Sequence, residues 1–227
     1  MKSDQEIQKA ARAIVSFTDS YVQNKQRKQK EQSESESTLS LAQVTSSLEY
    51  LQGQIQNINA CKQVSQIPKL LQSLIALVTF RLGTHLREQT DLLRLKVRHW
   101  SKWCLRNIHF YGDEQAQSEL VNNGYGRMMS ITLSKAGGVG EEQDAEITDG
   151  LYYITIFLRQ LHEGRNYPYT SFHPLPLLAQ VSLEQIEEEG ANEEVEAQMN
   201  NNGMNGNIKD QATWAKSETL NHFIHRC

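Results

Sequence analysis

Apolar residues recur along this chain at steps of three, four and seven, the spacing of one face of an α-helix. Ile7, Ala10, Ala11, Ile14, Phe17, Tyr21 and Val22 trace such a face across Asp4–Lys30. A helix of this kind buries its apolar stripe against a neighbour and leaves the polar remainder wet. The charged, Ser-rich segment Gln29–Thr38 interrupts the pattern, which resumes over Leu39–Ile58. Pro68 suits a helix start, where its missing N–H leaves no bond unmade, and the run Lys69–Leu82 follows it. His85–His109 carries Leu92, Leu95, Val97, Trp100, Cys104 and Ile108 as its expected apolar positions. A polar break at Tyr111-Gly112-Asp113 predicts the end of that helix. A short helix ending at Asn122-Asn123-Gly124 and a third apolar run to Leu133 are expected next. Thr148–Leu161 is apolar nearly all round, as a buried helix is. Leu175–Ile186 leads into another helix, and Asp210–His225 closes the chain as a helix.

Between these runs lie a Gly-rich acidic loop at Ala136–Asp144, a Pro- and aromatic-containing loop at Gly164–Pro174, and a low-complexity Asn-rich loop at 200–207. Alternating β-branched runs are nearly absent, and the four prolines fall at 68, 168, 174 and 176. The expected fold class is therefore all-α. Trp103, Tyr153 and Trp214 each sit in an apolar helix behind a polar or Gly-rich break, the first two 50 residues apart. That spacing is on the scale of helical repeats, which bury their apolar faces only by stacking on one another.

Composition narrows the function classes. The 227 residues suffice for one good-sized core or a short elongated array. A net charge of −4 argues against broad nucleic-acid binding through phosphate neutralisation. The N-terminus lacks the apolar run of a signal peptide, and no window approaches the ~20 apolar residues of a membrane-spanning helix. Cys61, Cys104 and Cys227 are odd in number and far apart, which disfavours a disulfide framework or a metal site. His222, His225 and Cys227 have no second cluster to complete a zinc site. Ala136–Gly140 lacks the Lys-Ser/Thr of a phosphate loop. There is no nucleophile elbow or HExxH motif, and the carboxylates fall on polar helical faces. The expectation is a soluble intracellular protein that is not an enzyme and needs no cofactor.

One constellation stands apart. Trp103 and Asn107 are four apart and share a helix face, at the border of the stripe formed by Val97, Trp100, Cys104 and Ile108. An amide there can bond the backbone of an extended peptide while the indole packs on its side chains. Trp100 is expected in the core and Trp214 in core or exposed packing. The Lys25–Lys30 cluster and the acidic run Glu184–Glu196 read as solvated faces.

The same residues carry a resemblance. Trp103-Cys-Leu-Arg-Asn107-Ile108, the turn at Gly112-Asp113, then Leu120-Val121 and Gly124 resemble an armadillo repeat of the importin-alpha (karyopherin-alpha) family. Leu151–Phe157, Gly164, Pro168, Phe172 and Pro174-Leu-Pro176 resemble the family's following repeat. Ile186–Gly190, Val195, Gln198 and Asn200 resemble its last one. The match runs over roughly Leu92–Phe223.

The resemblance implies an armadillo-type right-handed α-solenoid over 39–227, behind an N-terminal amphipathic helix and charged linker over 1–38. It implies a concave groove that binds basic nuclear-localisation peptides for protein import into the nucleus. Carried over, Trp103 is a ring wall offering cation–π attraction, Asn107 a backbone clamp, and Tyr153 a weaker second wall. Tyr153 and Phe157 stand where the family has Trp and Asn, and Phe157 cannot hydrogen-bond a main chain. Implied partners are basic localisation-signal peptides and an importin-beta or exportin-type carrier, with no direct nucleic acid and no membrane. The implied location is cytoplasm and nucleus. The alternative is an armadillo-type structural or assembly scaffold subunit that has lost peptide recognition.

Overall fold

The computed structural model describes residues 2–27, 37–81, 88–136, 144–166, 168–201 and 207–224, with side chains from 4 to 23 in the first stretch and to 220 in the last. Among these residues the helical periodicity becomes eleven α-helices and no strand, so the all-α expectation holds. They fall into two units, Met1–Asn123 and Gly124–Cys227. No helix among the described residues is long and apolar enough to cross a membrane.

The first unit contains α1 (Lys2–Arg27), α2 (Thr38–Ile55), α3 (Ile58–Ser65), α4 (Leu70–Val78), α5 (Glu88–Tyr111) and α6 (Glu114–Asn122). Its most extensive helix pair is α2 on α5, and α4 packs on α5 as well, while α1 lies against α2 and α4. Leu41, Val44, Leu48 and Leu51 of α2, Leu74 and Leu77 of α4, and Val97, Cys104, Leu105 and Ile108 of α5 are buried in the core. Phe80, just past α4, is buried edge-on to Tyr21 of α1 at 4.8 Å between ring centroids.

Periodicity alone predicts one helix over Leu39–Ile58, whereas α2 stops at Ile55 and α3 starts at Ile58. The reason is Asn57, whose side-chain oxygen accepts from the N–H groups of Asn59 and Ala60 and so caps a new helix. Asp113 caps α6 in the same way through the N–H of Ala116.

The second unit holds α7 (Tyr125–Ala136), α8 (Asp144–Glu163), α9 (Pro176–Glu188), α10 (Ala191–Gln198) and α11 (Asn207–Ile224). Here α8 and α11 form the most extensive pair, and α7 packs on α8 and α9. Leu151, Ile154, Phe157, Leu158 and Leu161 of α8 are fully buried, with Phe157 edge-on to Tyr125 at 5.0 Å. Thr148–Leu161 is nevertheless not apolar on every side, since Tyr152 is exposed.

The loop between α8 and α9 is ordered by its own residues. Arg165 and Phe172 each donate a backbone N–H to the other's carbonyl at 2.9 Å, and the Arg165 guanidinium lies 4.7 Å from the Phe172 ring centroid. Gly164 opens this loop at φ +78°, and a Cβ there would lie 2.7 Å from the Phe172 carbonyl oxygen.

Three positions expected on the apolar faces are overturned. Leu92 is 51% exposed, Leu95 47%, and Val22 41%. Trp100, expected in the core, is only half-buried. On α5 the cause is geometric: α2 and α4 cover the side of Val97, Ser101, Cys104 and Leu105, and Trp100 sits at the edge of that cover.

Gly164→Ala is expected to lower the free energy of unfolding by about 1–3 kcal/mol, because the new Cβ meets backbone and the conformation is left-handed. Urea unfolding of the two proteins measures this, and an unchanged midpoint contradicts the account of the loop.

Candidate peptide-binding site

Trp103 and Asn107 come from the second half of α5, where the helix runs beside the end of α2. Like any α-helix, α2 leaves its last four carbonyls without intrahelical donors. Gln52 is the first of those four residues, and its carbonyl faces α5. Asn107 is 93% buried, being 7% exposed, and its Nδ2 donates to the Gln52 carbonyl at 3.2 Å. The amide expected to clamp a peptide backbone therefore clamps the backbone of α2. One turn earlier the Cys104 thiol donates to the Leu48 carbonyl at 3.5 Å, and the Cys61 thiol of α3 reaches the Ile108 carbonyl at 4.0 Å. Burial pushes the Cys104 thiol well above its ordinary pKa, so it stays protonated as a donor and is no nucleophile.

Trp103 lies at the border of this contact and is half-buried. The guanidinium of Arg106, itself buried, stands 5.2 Å from its ring centroid, within cation–π range. His99 lies 6.2 Å from the same ring and 5.0 Å from that of Trp100. The exposed side of α5 is thus an aromatic ridge with a cation already placed against its indole.

The third expected site residue, Tyr153, belongs to the second unit. It is half-buried on α8, with its ring edge-on to exposed Tyr152 at 5.3 Å. Phe157, one turn on, is buried entirely. Trp214 of α11 is 51% exposed, so it is not a core residue. Glu218, one turn beyond it, accepts from Arg159 of α8 at 2.8 Å. The acidic run Glu184–Glu196, expected as a solvated face, is partly engaged. Glu188 and Glu189 both bind Arg127 of α7, at 2.6 and 2.8 Å, and Glu196 binds Lys216 at 2.5 Å.

No group of His, Cys, Asp or Glu among the described residues could hold a metal ion. The Lys25–Lys30 side chains, the Gly137–Gly140 loop, and His222, His225 and Cys227 as ligands lie outside the described side chains. The Gln52 carbonyl was not foreseeable from periodicity, because it matters only once α2 is known to end at Ile55. The Asn57-Ile58-Asn59 cap is the local pattern that marks that end.

No family model matches the chain, and no curated protein matches it.

Asn107→Leu keeps the side chain's size but removes the donor, leaving the Gln52 carbonyl bare inside the contact. The expected loss is about 1–3 kcal/mol in urea unfolding. A variant as stable as the wild type would show that this bond carries no weight.

Proposed function

We propose that this chain is a non-enzymatic adaptor, built as an armadillo-type right-handed α-solenoid, that holds an extended peptide against the exposed side of α5. The observation that carries this reading is Trp103. One side of α5 is given wholly to the core, and a large ring is set at the border of that side with part of its surface open. A half-open indole adds less to the fold than a buried one and offers a wall for the stem of a bound side chain. The packing of successive helices against their neighbours is in keeping with a repeat architecture.

In the form implied by the resemblance to importin-alpha proteins, the chain serves protein import into the nucleus and works in cytoplasm and nucleus. The peptide is then a basic localisation signal, and an importin-beta or exportin-type carrier is the further partner. In that form Trp103 is the ring wall of the first unit, and Tyr153 the weaker wall that the resemblance implies for the second.

A second reading, the assembly scaffold that has lost peptide recognition, is favoured by two specific observations. The amide of Asn107 is bonded to Gln52, and Phe157 is fully buried. Both positions at which the family clamps a peptide backbone serve packing in this chain.

Titrating the full chain with fluorescent extended peptides, a Lys/Arg-rich localisation peptide among them, separates the readings. The adaptor reading expects a Kd of about 1 μM or below for one of them, weakened about tenfold or more by Trp103→Ala. Equal affinity in the variant contradicts the role of Trp103. An absence of binding by every peptide leaves the scaffold.

A further inference from the structure

We infer that the exposed side of α5 receives an acidic peptide segment, not a basic one; this rests on the peptide-holding reading and replaces the basic cargo that the resemblance implies. From Leu92 to Tyr111 the helix contains no Asp or Glu, yet it carries Arg94, Lys96, Arg98, Lys102 and Arg106, with His99 and His109 besides. Its acidic residues, Glu88 and Asp91, are confined to the first turn. The neighbouring α2 holds one acid, Glu49, over its whole length.

The cations divide by task. Arg94 is buried and pairs with Asp91 at 3.5 Å, and Arg98 donates to the Phe80 carbonyl at 3.4 Å, so both are tied into the fold. Lys96 is exposed and Lys102 half-buried. Leu92, Lys96, His99 and Trp103 are spaced by four, three and four residues and line up along one stripe of the helix. Leu95 lies beside that stripe. With Leu92 and Leu95 about half exposed, the stripe sets one exposed cation, Lys96, among apolar and aromatic positions.

A basic peptide is poorly matched to this surface. A Lys stem seeking the Trp103 ring finds Arg106 already 5.2 Å from its centroid, and its ammonium meets Lys96 as a like charge. An acidic segment interleaved with apolar residues fits on both counts. Its carboxylates meet Lys96, and its apolar side chains cover Leu92, Leu95 and the open part of Trp103. Electrostatic complementarity of this kind governs which partner is accepted more than how tightly it is held. RNA is the other anionic class. The overall charge of −4 and the two exposed leucines favour a peptide over a phosphate chain.

The test uses the full chain and three labelled probes of equal length: a Glu/Leu/Phe peptide, the same peptide with Lys in place of Glu, and oligouridylate. The expected result is that the acidic peptide binds about tenfold or more tighter than the Lys peptide, and that ~0.5 M salt weakens it. Lys96→Glu, a change at an exposed site, should weaken the acidic peptide about fivefold or more and improve the Lys peptide. Equal or tighter binding of the Lys peptide overturns the acidic assignment while leaving the adaptor reading in place. Tighter binding of oligouridylate overturns it in favour of nucleic acid. If neither peptide binds, this inference and the adaptor reading fail together.

Discussion

Burial of one side of α5 is the constraint on which the first unit depends. Val97, Cys104, Leu105 and Ile108 are removed from water between α2 and α4. At about 1.5–3 kcal/mol for each large apolar side chain, this term outweighs any single polar contact in the unit. It also creates a difficulty, because it presses α5 against the carbonyl end of α2. Asn107 answers this by donating to the Gln52 carbonyl, a part-buried bond worth only ~1 kcal/mol net. Hydrophobic burial brings the helices together, while Asn107, Cys104 and Cys61 fix how they register. In the second unit α8 and α11 pair extensively, with Phe157 and Tyr125 edge-on within that unit's core.

The same arrangement leaves some residues of α5 packed and others open. Asn107 is absorbed by the fold and Trp103 is not. Arg106 lies between the two tasks, buried like a packing residue yet poised against the indole. What remains open on α5 is aliphatic, aromatic and cationic. The proposed adaptor for an acidic, partly apolar segment would draw on all three properties together.

Most of the helices were legible from the spacing of Ile, Leu and Val, since a helix that buries one face must repeat that spacing. The Gly164–Pro174 loop was legible too, because glycine, proline and clustered aromatics do not continue a helix. The break at Asn57 was lost because a cap is one residue's hydrogen bond and leaves the surrounding apolar rhythm intact. Leu92 and Leu95 are apolar residues within the run, but they lie on the side of α5 turned away from Val97 and Ser101 and are exposed. Asn107 illustrates the same limit at the site. Its place at the stripe's border was readable, but whether its amide serves a ligand or the end of α2 depends on where α2 stops.

The central claim is that α5 presents a binding surface distinct from its packing side. Amide hydrogen exchange of the full chain, with and without a saturating bound peptide, tests this most directly. Slower exchange is expected only in α5 between Leu92 and Trp103, with α9 and α10 unchanged. Unaltered exchange in α5 alongside slowing in another helix would contradict it.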